Sequence, residues 1–101
     1  MVTLSEYKMI YEEIRERIER VRIRATKIGI KGNYFEPITL RTTAENYLCR
    51  IDKVYAVYTS APSYRTKDFT SYVTTLRADA DSLEAFAERV EAVAEAIKRN
   101  G

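Results

Sequence analysis

Apolar residues recur along the last third of the chain with alternating spacings of three and four. The repeat is unbroken for more than three heptads, which predicts a long helix over 66–99 with one apolar seam. At ~1.5 Å per residue this helix would be ~50 Å long, so we expect it to lie along other helices as the spine of the structure. The seam consists of Val73, Leu76, Ala80, Leu83, Ala87, Val90, Ala94 and Ile97.

A similar repeat near the start of the chain predicts a first helix over 3–28. Thr3 and Glu6 have the spacing of a capping box, and Gly29 is placed to end the helix in a left-handed conformation. Alternation of apolar and basic residues over 21–25 leaves open a strand near residue 20, but the continuing heptad register favours the helix. Its seam consists of Leu4, Tyr7, Tyr11, Ile14, Ile18, Val21, Ala25 and Ile28.

The link 29–41 is longer than the two to eight residues usual between packed helices. Lys31-Gly32-Asn33 has the composition to turn a short β-hairpin between 28–30 and 34–40. In that alternative, Pro37 would confine the second strand to a sheet edge.

The second helix is predicted over 42–60. Thr42 and Glu45 repeat the capping-box spacing, and Ala61-Pro62 ends the helix because the residue before proline is disfavoured in the helical region. Thr66 is the expected cap of the third helix, with Asp68 in its first turn. Asp79–Ser82 could break that helix, but the seam passes through this segment without a phase shift.

Together these elements predict one all-α domain over 1–101, an antiparallel three-helix bundle with coiled-coil-like heptad packing. In this arrangement, the basic e positions of the first helix would face acidic e positions of the last. The last helix is longer than the second, so an apolar seam would overhang and favour a homo-oligomer. The expected e-position partners are Lys8, Arg15 and Arg22 with Glu84 and Glu91.

Charge is unevenly distributed although the net charge is only +2. Residues 15–77 carry 13 basic and 6 acidic side chains, a balance of +7, whereas 78–101 carry 3 basic and 6 acidic ones, a balance of −3. All eight tyrosines precede residue 73. A basic, tyrosine-rich body followed by an acidic helix makes binding to a nucleic-acid backbone an alternative function.

Basic and aromatic residues supply the candidate contacts to a nucleic acid or another anion. Spacings of three and four put the helix-borne cations on one face, where they either bind phosphates or pair with the acidic row of the last helix. Tyr34 either stacks on a base or helps Phe35 cover the end of the bundle, which is the expected place of Phe35. Tyr55 and Tyr58 are expected in the core. The candidates are Arg17, Arg20, Arg24, Lys27, Lys31, Tyr34, Tyr64 and Arg65.

The sequence contains no histidine, so the commonest general base and transition-metal ligand are missing. Cys49 is expected to be buried and inert. We therefore expect no enzyme, no cofactor and no metal site. The remaining enzyme hypothesis is an anion pocket lined by Arg15, Arg22 and Arg50.

The leading hypothesis is a small non-enzymatic interaction and assembly protein that binds a second copy or another helical protein through its heptad seams. No run of 18 apolar residues and no signal peptide is present, which favours a cytoplasmic protein without membrane contact. Abundant Glu and Arg without Gln is a composition found in thermophilic proteins.

Overall fold

Three helices dominate the computed structural model, which describes residues 1–29 and 32–100. No β-strand occurs within these residues, so the predicted all-α class is confirmed. The helices are α1 (Leu4–Lys27), α2 (Glu36–Ser60) and α3 (Thr70–Asn100), with one 3-10 turn, Pro62–Tyr64, between α2 and α3.

Consecutive helices are antiparallel, as predicted, in a bundle of 56 × 20 × 15 Å. Tyr11, in the first half of α1, donates a hydrogen bond to Asp52, in the second half of α2. Arg17 pairs with Glu84 on α3, and Arg24, one heptad later on α1, pairs with Glu91, one heptad later on α3. The two helices therefore run in the same direction. The central helix is α1 rather than α3, because α1 packs extensively on both others while α2 and α3 touch less.

The heptad seams form the core. On α1 the buried positions are Tyr7, Tyr11, Ile14, Ile18, Val21 and Ala25, all from the predicted seam. On α3 the small side chains of Ala80 and Ala87 are fully buried. Small residues at these positions allow neighbouring helices to approach closely, which accounts for the coiled-coil-like packing.

The start of α1 was predicted correctly and its end to within one residue, but the predicted left-handed glycine cap was wrong. Thr3 accepts a hydrogen bond from the Glu6 amide at 3.2 Å, and Glu6 accepts one from the Thr3 amide at 3.1 Å, which completes the capping box. The helix is continuous to Lys27, which excludes the strand near residue 20. Ile28 then takes an extended conformation (φ −81°), and the glycine with positive φ is Gly32 (φ 60°), not Gly29.

α2 begins six residues before the predicted start. Pro37 lies in its first turn, where no intrahelical N–H is required, and Leu40 is fully buried in the core. Burial of these two side chains explains the earlier start, and Thr42 is inside the helix instead of capping it. The hairpin is wrong because 36–40 is helical; Ile30 and Lys31 lie outside the described residues. The helix ends before Pro62, as predicted.

α3 begins at Thr70, four residues after the predicted cap Thr66. Asp68 lies before the helix and accepts hydrogen bonds from the Thr70 amide (3.0 Å) and the Val2 amide (3.1 Å). The Phe69 amide donates to the Val2 carbonyl at 2.9 Å. These bonds tie the start of α3 to the N-terminus and fix the helix origin. The helix is unbroken through Asp79–Ser82.

An aromatic cluster closes the bundle where α1 and α3 begin. Tyr7 is fully buried and stacks on Phe69, with ring centroids 4.6 Å apart and planes within 4°. Tyr11 stacks on Tyr55 with centroids 3.8 Å apart. Tyr55 and Tyr58 are half-buried against the core, close to the predicted placement. We call this the closed end of the bundle.

Replacing Ala80 by leucine should destabilise the fold by about 1–3 kcal/mol, because the added atoms overpack a fully buried contact. The matched control is Ala85→Leu, an exposed position on the same helix, which should change the free energy of unfolding by less than about 0.5 kcal/mol. Urea unfolding followed by circular dichroism measures both. Equal effects would mean that α3 does not pack through Ala80.

The hydroxyl of Tyr11 should ionise at a higher pH than that of an exposed tyrosine, and its pKa should depend on Asp52. Burial, followed by the hydrogen bond to Asp52, raises the pKa of Tyr11 to about 12. A raised folded-state pKa contributes stability below the ordinary value near 10, and that stability is lost as the pH rises through 12. Asp52→Asn should lower the Tyr11 pKa toward 10 and shift alkaline unfolding to lower pH, as followed by phenolate absorbance. The control Glu12→Gln, at an exposed α1 position, should leave the titration unchanged.

Candidate functional site

Three cations of the predicted basic row on α1 are paired within the chain. Arg17 contacts Glu84 through Nε–Oε2 at 3.1 Å and also bonds Asp81, while Arg24 contacts Glu91 at the same 3.1 Å. Arg20 pairs with Glu16 on its own helix at 2.9 Å. Arg17, Arg20 and Arg24 are therefore used in ion pairs, and α3 supplies the acids for two of them.

These pairs perturb the carboxylates of α3. Hydrogen bonds from Arg17 hold the pKa of Glu84 below its ordinary value, and hydrogen bonds from Arg24 do the same for Glu91. The pKa of Arg17 is raised chiefly by its bond to Glu84. A phosphate would have to displace these carboxylates to bind here, so the α1 row is poorly suited to a nucleic-acid backbone.

The predicted e-to-e pairing was wrong because two chain reversals make the first and third helices parallel. In a parallel pair, g positions of one helix face e positions of the other, and Arg17 and Arg24 are g positions. Arg15 instead bonds Asp52 on α2 at 3.1 Å, and Arg22 bonds Glu19 on its own helix. Lys8 is exposed.

Most of the predicted helix-packing seam is buried within a single chain. Its members on α1 and the first part of α3 are at most 7% exposed, which leaves no seam there for a second copy. The exceptions are the last two, Ala94 and Ile97, which are half-buried. The buried seam positions are Ile14, Ile18, Val21, Leu76, Ala80, Leu83, Ala87 and Val90.

The two remaining seam residues lie at what we call the open end of the bundle, formed by the end of α1, residues 32–40 and the α3 turns after Glu91. Arg24 pairs with Glu91 one turn before α1 ends, so the last turns of α3 run beyond α1. Phe35, Ile38 and Val93 are here 57%, 41% and 45% exposed. Phe35 does not cover the bundle end as expected.

A cavity of about 420 Å³ opens beside this overhang. Ile28, Tyr34, Ala94 and Ile97 supply its apolar and aromatic surface. Tyr34 and Ile97 also border a shallower depression that includes Phe35. Tyr34 is half-buried, and partial burial raises its pKa. Tyr34 therefore lines a concave apolar surface, while its predicted neighbour Lys31 lies outside the described residues.

Side chains of both signs surround this cavity. Lys27 and Lys98 border it together with Glu91 and Glu95, and all but Glu91 are exposed. Lys27 was predicted to belong to the basic row, but the structure places it at the open end. A rim of mixed charge does not select a uniformly anionic ligand, and it matches the mixed polar rim of a protein interface.

The other predicted contacts lie near the closed end. Arg65 is exposed, as expected of a turn residue, while Tyr64 is half-buried with its ring edge-on to Tyr58, 4.8 Å between centroids. Arg50 stands over the Tyr47 ring at 5.1 Å. Arg15, Arg22 and Arg50 thus contact different partners, and the described cavities do not bring them together.

Cys49 and Phe69 show two different errors of sequence interpretation. Cys49 is exposed rather than buried, because it lies on the outer face of α2. Phe69 is fully buried but absent from the predicted core, although it precedes Val73 by four residues and extends the seam. Asp52 was also missed, since nothing local marks a residue that bonds Tyr11 and Arg15 on another helix.

Within residues 1–29 and 32–100 no three potential metal ligands of the His, Cys, Asp or Glu type lie together. Over the same residues, none of the helices combines the length and apolar character needed to cross a membrane. The open end combines exposed apolar side chains, a concave cavity and the half-buried seam residues Ala94 and Ile97, and this makes it the candidate functional site.

Two double-mutant cycles should distinguish the ion pair between α1 and α3 from the ion pair within α1. The Arg17–Glu84 coupling should be about 1 kcal/mol, since Arg17 is only 19% exposed, and the Arg20–Glu16 coupling about 0.5 kcal/mol or less. Glutamine replaces each residue, and urea unfolding gives the free energies. Because the folded-state pKa of Glu84 is depressed, its coupling should be present above pH 4.5 and lost as the pH falls through the folded value. Equal couplings would contradict this ranking.

Relationships to known proteins do not assign a function to this chain. No protein-family model matches it, and comparisons with curated proteins and with solved structures find no significant match. A functional proposal therefore has to be argued from the burial, charge and packing of this chain.

Proposed function

We propose that this chain is a small non-enzymatic interaction and assembly protein that self-associates through its open end. The main support is that three apolar side chains at this end, Phe35, Ile38 and Val93, are exposed to solvent. Beside them the heptad seam continues through the half-buried Ala94 and Ile97. Elsewhere the seam is covered by the chain's own helices. Exposed apolar surface of this kind is typical of protein-binding sites.

The overhanging turn of α3 supports a helical partner. Ala94 and Ile97 continue the a and d positions that α1 covers up to Val90, but α1 has ended at this level. A facing helix would bury these two side chains as α1 buries the preceding ones. The proposed contact thus extends the packing of the bundle.

Charge supports a second copy as that partner. A two-fold symmetric interface brings the same patch together from both copies, so a patch of one sign would repel itself. The open end carries Lys27 and Lys98 together with Glu95, and the neighbouring Arg89 is also exposed. A patch with both signs is compatible with its own copy.

The size of the end suggests moderate affinity. A cross-section of 20 × 15 Å is small against the ~800 Å² per partner of a standard stable interface. The exposed side of α3 around Val93 must therefore contribute to the contact. We expect a reversible dimer that needs high protein concentration, not an obligate one.

Sedimentation equilibrium should give a mass approaching twice 11.7 kDa as the protein concentration rises to ~1 mM. Val93→Lys should weaken the association at least roughly tenfold, because it puts a charge into the apolar contact. The matched control is Val57→Lys, since Val57 is similarly exposed (52%) but lies toward the closed end.

Four results would contradict the proposal, and the first three concern the mass of the protein. The wild type could remain monomeric at ~1 mM, both variants could associate equally, or the mass could grow without limit. The last result would indicate head-to-tail contacts between different surfaces. Binding of a different helical protein at Val93 by a chain that stays monomeric would likewise contradict self-association.

A further inference from the structure

A second surface carries cations that the bundle does not neutralise. It comprises Arg50 on α2 and Arg65 and Lys67 in the connection to α3, and we call it the connection patch. Among the described residues none of these three forms an ion pair within 4.0 Å, whereas Arg17, Arg20 and Arg24 all do. Unpaired positive charge is therefore found outside these three positions of the predicted row.

Aromatic rings hold two of these cations in place. Lys67 Nζ stands 5.6 Å from the centre of the Tyr58 ring and 5.8 Å from that of Phe69, and Arg50 is 5.1 Å from the centre of Tyr47. A cation on an aromatic face keeps its full charge, in contrast to one paired with a carboxylate. The patch is thus partly ordered before any ligand binds.

The connection itself is held by backbone hydrogen bonds. The Tyr64 amide bonds the Ala61 carbonyl at 3.2 Å, the Arg65 amide bonds the Pro62 carbonyl at 3.1 Å, and the Lys67 amide bonds the Tyr64 carbonyl at 3.2 Å. These turns place Arg65 and Lys67 beside Tyr58 and Tyr64. The half-buried tyrosines add hydroxyl groups, which commonly donate to phosphate oxygens.

The acids near the patch are already engaged. Asp52 is bonded by Arg15 and Tyr11, Asp68 by the amides of Val2 and Thr70, and Asp79 by the Tyr47 hydroxyl at 3.1 Å. Asp79 and Arg50 act on the pKa of Tyr47 in opposite directions, since the carboxylate raises it and the guanidinium lowers it. Asp52 is neutralised by Arg15, so the three cations of the patch outnumber the two nearby carboxylates, Asp68 and Asp79, that form no ion pair within 4.0 Å in the part of the chain that the structure describes.

We propose that the connection patch binds the phosphate backbone of single-stranded nucleic acid. Arg50 and Tyr58 are eight residues apart on α2, so the patch extends ~12 Å along the helix before it reaches the connection. A track of cations interleaved with tyrosines suits a flexible strand that follows the protein surface. This activity is independent of the proposed self-association and uses a different end of the bundle.

The test is fluorescence anisotropy with labelled 20-residue oligo-dT and oligo-U at salt concentrations from ~50 to ~200 mM. The wild type should bind both, with an affinity that falls steeply with salt, roughly −0.7 in log–log slope for each phosphate contact. The variant Arg50→Gln, Arg65→Gln, Lys67→Gln should lose about 2 in slope and bind roughly 10- to 100-fold more weakly at ~100 mM salt.

The control variant Lys8→Gln, Arg20→Gln, Arg77→Gln removes the same charge from exposed positions outside both the patch and the open end. It should bind within about threefold of the wild type, since it keeps every proposed phosphate contact. Circular dichroism should show that both triple variants keep their helix content. If the patch variant unfolds, the single variant Arg65→Gln is tested in its place. Arg65 is exposed and is one of three proposed phosphate contacts, so this variant should show about a third of the loss in salt slope expected for the triple variant.

The proposal is overturned if the wild type fails to bind at ~50 mM salt or if both triple variants weaken equally. Equal binding of polyglutamate would overturn the nucleic-acid assignment, because it would show recognition of negative charge alone. Tighter binding of a 20-base-pair duplex would overturn the preference for single strands. The Val93→Lys variant should bind at least as well as the wild type, so this test and the self-association test fail separately.

Discussion

Burial of the apolar seam of α1 is the interaction on which the other features depend. Ile14, Ile18 and Val21 are completely inaccessible because α2 covers one side of the seam and α3 the other. At about 1.5–3 kcal/mol for each fully buried aliphatic side chain, this seam outweighs any of the surface ion pairs. The directions of the helices and the levels at which their side chains meet follow from this shared core.

Charge pairing refines the arrangement that the core imposes. Arg17 and Arg24 meet Glu84 and Glu91 because α1 and α3 are parallel and in heptad register. Each such pair is worth only about 1 kcal/mol at a partly exposed position, so the pairs favour one register without driving folding. Their functional consequence is larger, because they remove cations from the surface that would otherwise attract phosphates.

The two ends of the bundle differ in chemistry. At the closed end, rings such as Tyr7 and Phe69 fill the space between the helices, and the N-terminus is hydrogen-bonded to the start of α3. At the open end α3 continues past α1, leaving Val93 and Phe35 partly uncovered. Self-association at the open end and binding of a nucleic-acid backbone near the closed end would be compatible, because the two proposed surfaces use different residues.

The sequence by itself determined the features that depend on neighbours within one or two turns. These include the seams of α1 and α3, the capping box at Thr3 and the helix end before Pro62. It also predicted that the last helix would overhang a shorter second helix, but α2 is longer than predicted and the overhang lies beyond the end of α1. Only the tertiary structure decided where α2 and α3 begin, which acids neutralise Arg17, and that unpaired cations lie around Lys67. Local patterns specify a helix and its apolar face, but burial and ion pairing across 37 to 67 residues of chain depend on the register in which the helices pack.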